Sequence, residues 1–485
     1  MGKRSRRGFI RSASATAAAV AITNRIPAWA AAPSGPVQVW STFRDKRHAP
    51  GASLAWKPVG QVAADAIVLD PAATKQEILG FGGALTDATC YVLSLLTDSE
   101  REAAMHDLFA PGEMAFNVCR TCIGASDYSR NAYTFDESDE PDPDLKKFSI
   151  DHDRAYILPM LKQARQVNPE LFLFSSPWSP PGWMKTGNSM LGGAMRKHSY
   201  APYAQYFVKF LEDYKTGGVT IDAVTVQNEV DADQDGRMPA CLWGQEYEIE
   251  FVKWHLGPAL RKAGIPAKIW VLDHNYALWG RAIDELSDAD AYQFIDGIAW
   301  HGYAGTVSAM TAVHDAFPAK NAYWTEGGPD YTQPDYQTDY ATWAETFNSV
   351  LNNWARSITA WNIALDEKGK PNIGPFSCGG TITIENGTVA NASHTITRSG
   401  QYWAFAHYSK HIRRGAKVFA TDGVGQRAFH GDATPITHTG FRNPDGTHVV
   451  VIANRGGEKR VQLVLGSSAL EVDLPAGSVH TLQWS

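Results

Sequence analysis

Two glutamates carry the chemistry that this sequence suggests. In "AVTVQNEV" (residues 223–230) a small, β-branched apolar run passes straight into Gln227, Asn228 and Glu229, and "AYWTEGG" (322–328) delivers Glu326 in the same way. A lone acid at a strand end most often caps a loop or pairs with a cation. Two such acids aimed into one mouth can also flank a glycosidic bond, one attacking the anomeric carbon while the other protonates the leaving oxygen. The attacking group must stay ionised and the other must hold a proton near neutral pH, so their surroundings must differ. Arg120 is the candidate to keep one of them charged, since a guanidinium favours the ionised form of a neighbouring carboxyl.

Positioning these acids is a task for the surrounding elements. Eight short apolar runs, at 78–84, 117–124, 171–177, 223–229, 267–275, 297–303, 322–328 and 357–364, alternate with longer amphipathic stretches such as 200–215, 245–264 and 336–355. Strand–helix alternation predicts parallel βαβ units, and eight of them suit a closed (β/α)8 TIM barrel of class α/β over 78–414. Polar residues gather at the C-terminal ends of the runs, where such barrels keep their active sites. They are Asp127, the "SSPWSPPGWMKT" segment, Asn228-Glu229, Asp273-His274-Asn275, His301 with Tyr303, Glu326, and Trp361-Asn362. The fourth and seventh runs lie across a small barrel from each other, so Glu229 and Glu326 can meet.

The chain ends read differently. Residues 415–485 hold strands and turns without helical spacing, and 31–77 lack a long helical pattern, so an appended β-sandwich built from both ends is expected. A Gly/Asn/Thr-rich stretch at 365–397 reads as a long connection of functional or mobile character. Residues 1–30, with the arginine pair of "SRRGFIR", an apolar run and Ala28-Trp29-Ala30, predict a twin-arginine-type signal peptide and an exported, periplasmic or extracellular, bacterial protein. No later apolar stretch is long enough for an integral membrane segment.

Composition narrows the field further. The chain is 44% hydrophobic and 20% charged, with a net charge of −7 and no basic run after the signal, which argues against nucleic acid as a partner. Cys119 and Cys122 sit three apart in an alternating run and should face opposite ways, and no second Cys/His pair has metal spacing. No Gly-x-Gly-x-x-Gly opens a helix after the first run, so a dinucleotide is not expected.

With these motifs together the chain resembles glycoside hydrolase family 30, the glucosylceramidase-like group of retaining β-glycosidases. The resemblance rests on "ILGFGGALTDA", "RTCIGASDYSRNAYTFDE", "SSPWSPPGWMKT", "YAPYAQYFVKFLEDYK", "AVTVQNE", "HLGPAL", "HGY", "TEGG", "WNIALDEKGKPN", "YSKHIRRGAKVF" and "SVHTLQW", all in family order. It implies double displacement, with Glu326 as nucleophile and Glu229 as acid/base, on β-linked glucosides or another carbohydrate or glycoconjugate. Asn228 would bind the sugar 2-hydroxyl, Asp127 and Trp178 the outer hydroxyls, and Trp361 would line the pocket. Tyr303 and Arg120 would orient Glu326, with His301 alongside, and no metal or organic cofactor is implied. Two positions depart from many relatives: Val230 stands where they have Pro, and Gly302 where they have a Trp that walls the pocket. Family members acting on xylosides, fucosides or galactans, and a silent carbohydrate-binding protein, are the alternative readings.

Overall fold

A computed structural model describes residues 35–390, 392–424 and 435–485; the signal peptide read over 1–30 lies outside them. Eight parallel strands form the central sheet: β1 (Gly80–Gly83), β2 (Val118–Cys122), β3 (Phe172–Ser176), β4 (Ala223–Thr225), β5 (Lys268–Asn275), β6 (Ile295–His301), β7 (Asn321–Glu326) and β8 (Ala355–Ala360). Their order is β1-β8-β7-β6-β5-β4-β3-β2. The seam between β1 and β2 is bridged by Ala84 beside Arg120 and by the Asn117 N–H donating to the Phe81 carbonyl. The result is a nearly closed barrel. Gly82 permits that seam, because a Cβ there would lie 2.1 Å from the Val118 carbonyl oxygen.

Each expected apolar run supplies one barrel strand, because a strand buried on both faces needs continuous apolar sequence rather than alternation. Inside the barrel, Val118, Phe174, Ala223, Trp270, Ala299 and Tyr323 form a separate buried cluster, with Trp270 and Tyr323 stacked at 3.9 Å. This aromatic plug is the floor on which the mouth residues rest. Outside, the amphipathic stretches are helical, with one interruption: 245–264 is an α-helix at Gln245–Phe251, a π turn at Val252–Leu256 and an α-helix at Gly257–Ala263. Pro258 lacks the N–H that regular α-helical bonding would use, and the Gly257 N–H reaches back to the Val252 carbonyl instead.

The stretch at 365–397 is more ordered than a loop. Ala364–Leu365, Ile382–Ile384 and Ile396–Arg398 make a small three-stranded sheet that leads into the helix Gly400–Ser409. Its glycines and asparagines concealed the short β-branched runs. Strands from both chain ends build the second unit: Gln38–Phe43 pairs antiparallel with Ser478–Trp484, and Ile67–Glu77 pairs with Lys417–Gly423. Asn352, at the end of the helix Tyr340–Asn352, ties barrel to sandwich through the His438 carbonyl (3.0 Å) and Thr439 Oγ1 (2.7 Å). Among the described residues no helix is long and apolar enough to cross a membrane.

Candidate active site

Glu229 reaches the mouth by leaving its strand. The β4 ladder stops at Thr225; the Asn228 N–H then donates to the Pro177 carbonyl and the Glu229 N–H to that of Asp273. Glu229 itself has φ +54°, an uncommon conformation for a residue with a Cβ and one that clusters at functional sites. Its Oε2 accepts from Gln234 Nε2 at 2.9 Å, while Oε1 faces His301 Nδ1 at 3.5 Å and His274 Nδ1 at 3.7 Å. Val230, by contrast, is fully buried in the main core, where its carbonyl receives the Trp243 N–H. That departure is a packing matter.

Glu326 ends β7 and is 6% exposed. Arg120 Nη1 lies 2.5 Å from its Oε2, and the Tyr303 hydroxyl donates to its Oε1 at 3.1 Å. The guanidinium is fully buried and every arm is engaged: Nε with Ser176 Oγ (3.1 Å), Nη2 with Asn228 Oδ1 (2.8 Å) and Asp273 Oδ2 (2.7 Å). It lies 4.6 Å from the Trp178 ring and 5.5 Å from that of Trp361, and these two indoles stack at 4.9 Å. With Asn228 Oδ1 taken by Arg120, the amide nitrogen is the end left for a ligand.

Beneath the two glutamates sits Asp273, a residue for which sequence reading proposed no role. Besides Arg120, it accepts from Ser176 Oγ (2.8 Å), Thr225 Oγ1 (2.7 Å), Thr325 Oγ1 (2.7 Å) and His301 Nε2 (3.1 Å). Burial opposes its charge, but Arg120 and then His301 hold its carboxyl well below the usual range. A bulge puts it there: Leu272 and Asp273 have φ +71° and +43°, and the β5–β6 register skips Asp273. Asp273 and His274 therefore both serve the mouth, although neighbours in a regular strand point to opposite faces. A second register shift, between Trp300 and His301 on β6, skips Thr325, so that Thr325 and Glu326 likewise both face inward.

His301 lies between the two acids, with Nδ1 toward Glu229 and Nε2 3.8 Å from Glu326 Oε2. Burial works against its charge, yet Glu326, Asp273 and Glu229 together pull it up to about 9. Glu229 shows the reciprocal effect: burial pushes its carboxyl up, and His301, with help from His274 and Gln234, brings it below the ordinary range. Asp127 is the opposite case. Burial first, then the charges of Glu326 and Glu229, push it well above the carboxylate range, and its Oδ1 has no protein partner. A buried carboxyl with a free oxygen near both glutamates is suited to a ligand hydroxyl.

The structure thus brings all nine expected residues, Arg120, Asp127, Trp178, Asn228, Glu229, His301, Tyr303, Glu326 and Trp361, around one mouth. Reading the sequence did not single out Gln234, on the loop after Glu229, or the hydroxyls of Ser176, Thr225 and Thr325. Among the described residues, Glu229, His274 and His301 converge as side chains that could hold a cation.

A nearly closed (β/α)8 barrel with a β-sandwich side unit, a buried glutamate ending its seventh strand and a partly buried one on the segment that follows its fourth, has the build of a glycoside hydrolase. Comparison with known proteins agrees. The profile of the glycosyl hydrolase family 30 TIM-barrel domain matches residues 78–412, and that of the family 30 β-sandwich domain matches 424–482. An endo-1,6-β-D-glucanase of Neurospora crassa is 34% identical over 426 residues, covering 84% of either chain. The lysosomal acid glucosylceramidase of Mus musculus is 28% identical over 444 residues, covering 86% of this chain and 83% of its own. The solved structure of the endo-β1,6-glucanase BT3312 superposes with a TM-score of 0.81 at 29% identity, over 93% of this chain and all of the other. This chain belongs to glycosyl hydrolase family 30.

Proposed function

We propose that the chain is a retaining β-glucoside hydrolase acting on β-1,6-linked glucan, with Glu326 as nucleophile and Glu229 as acid/base. The observation that carries the assignment of roles is the asymmetry of partners. Glu326 is bonded to a guanidinium that cannot lose its charge, which keeps the attacking carboxylate ionised. Glu229 is bonded to a neutral amide and faces imidazoles, which can exchange protons.

Before substrate binds, the proton for the leaving group resides on His301, at Nδ1 facing Glu229. An entering sugar expels water, and a drier site disfavours the Glu229–His301 ion pair relative to its neutral form, so the proton passes to Glu229 Oε1. Glu326 then attacks the anomeric carbon, the glycosidic C–O bond breaks, and Glu229 gives its proton to the departing oxygen. In the second half Glu229 takes a proton from water, whose oxygen displaces Glu326 and restores the β configuration. Asn228, Asp127 and the Trp178/Trp361 wall hold the sugar.

The glucan assignment draws on the activity named for the Neurospora relative and for BT3312, and on Gly302. That residue is exposed at the rim and puts no side chain there, which suits a substrate that extends beyond the mouth. The test is hydrolysis of β-1,6-glucan followed by NMR. β-Anomers are expected first, and Glu326→Gln or Glu229→Gln should each lower turnover by about 10²-fold or more. Initial α-anomers or full activity in either variant would overturn the mechanism. Activity on β-glucosylceramide with none on the glucan would overturn the substrate.

A further inference from the structure

His274 plays no part in the proposed reaction, yet its place is as well defined as that of His301. Each imidazole has its Nε2 against a carboxylate: His274 against Asp231 Oδ1 at 2.6 Å, and His301 against Asp273 Oδ1 at 3.1 Å. Each presents Nδ1, without a hydrogen-bond partner of normal length, to the same oxygen, Glu229 Oε1. His274 is 6% exposed and His301 fully buried. A carboxylate behind a histidine is the arrangement that orients imidazoles toward a bound metal and raises their basicity.

The spacing fits as well. Ligand atoms about 2.0–2.1 Å from a tetrahedral zinc ion are about 3.4 Å apart. Here the two nitrogens are 3.5 and 3.7 Å from Oε1, and all three atoms lie within 4.8 Å of one another. Gln234 occupies the other oxygen of Glu229, leaving Oε1 to point at the histidines. Four carboxylates, Glu229, Asp231, Asp273 and Glu326, surround the spot and one guanidinium, Arg120, opposes them. Two imidazoles and one carboxylate suit zinc and its neighbours, and not the oxygen-seeking magnesium or calcium.

We propose that Glu229 Oε1, His274 Nδ1 and His301 Nδ1 form a binding site for a zinc-class divalent cation, which inhibits the enzyme by occupying its acid/base. Binding replaces the proton at His301 Nδ1 with the metal and leaves one coordination position open to water. The inhibitory consequence rests on the role proposed for Glu229; the binding does not.

The full chain, stripped with a chelator, is titrated with Co²⁺ while visible absorption is followed, and with Zn²⁺ by calorimetry. One ion per chain is expected, with the cobalt bands of a low-coordinate nitrogen–oxygen site. His274→Asn should weaken Zn²⁺ binding at least 10-fold, and Asp231→Asn, which leaves every ligand in place, by about 10-fold. Zn²⁺ should also inhibit β-glucan hydrolysis competitively, with recovery on adding chelator. Absence of one-to-one binding, or unchanged Zn²⁺ affinity in both variants, would overturn the site. Tight binding without loss of hydrolysis would leave the site standing and overturn Glu229 as acid/base.

Discussion

Histidines are buried in two regions of this molecule, with opposite outcomes. At the barrel mouth His301 is enclosed by Asp273, Glu229 and Glu326, and despite its burial it is pulled up to about 9. At the seam between barrel and sandwich, His48, His411 and His480 meet hydroxyls, an amide and one another. His48 Nε2 faces His411 Nε2 at 2.9 Å, His411 Nδ1 meets Gln483, and His480 Nδ1 meets Ser41. Among the described residues no carboxylate opposes burial there, and it lowers His48 to about 3 and His411 and His480 to about 4, with Lys410 and Arg413 adding to the effect at His411. Burial alone therefore does not decide the charge of an imidazole; the carboxylates sharing its cavity do.

The strongest way to break this contrast is to remove the anion that the mouth shares. In Asp273→Asn, Arg120 and His301 lose the carboxylate that both of them contact. Breaking one partner out of a buried ion pair costs about 3–5 kcal/mol. Urea unfolding at pH 7 should show that loss, and catalysis should fall with it. His301 is raised above the unfolded value of about 6.5, so the stability it lends is complete below that pH and is lost as pH rises through about 9. In Asp273→Asn the alkaline decline should start at the same pH but be smaller and end at lower pH. A variant as stable as the parent, with the same alkaline limb, would show that Asp273 does not organise the mouth.

The seam sharpens the comparison from the acid side. His411 and His480 are depressed in the folded chain, so the unfolded chain binds more protons and stability rises with pH. Their contribution is complete above about pH 6.5, starts to fall below it, and is gone once pH drops past about 4. Between pH 7 and 5 each should account for about 2 kcal/mol of lost stability. His411→Gln keeps a hydrogen-bonding side chain that does not titrate, and should flatten the decline by about one proton. An equal acid slope in parent and variant would remove the seam from the account.

Both regions differ in how far the sequence reveals them. The eight barrel runs were legible because strands buried on two faces must be continuously apolar, and Glu229 and Glu326 were legible because they interrupt such runs. Arg120 followed from the preference of an ionised carboxyl for a guanidinium neighbour. The roles of Asp273 and His274 did not follow, since regular alternation sends neighbours to opposite faces and only the bulge at Leu272-Asp273 brings both to the mouth. The same holds for Thr325 beside Glu326. The seam histidines are 363 residues apart for His48 and His411, and no local pattern joins them. The sheet within 365–397 was hidden because its strands are two or three residues long.

The smallest expected effect lies at the rim of the mouth. Tyr303 is half exposed, and its hydroxyl gives Glu326 Oε1 a bond of 3.1 Å, longer than the Arg120 contact on the other oxygen. A hydrogen bond to a charged group is worth about 1.5–3 kcal/mol, and water reaching the rim should leave Tyr303 near the lower end. Since about 1.4 kcal/mol is a tenfold change in rate, Tyr303→Phe should lower kcat/KM about 10-fold and leave stability nearly unchanged. The division of that loss is informative. Tyr303 holds the carboxylate that becomes the ester, so a loss in kcat with KM little altered assigns the hydroxyl to the reacting oxygen. A loss confined to KM would make Tyr303 a sugar contact, and Arg120 would then be the residue that orients Glu326.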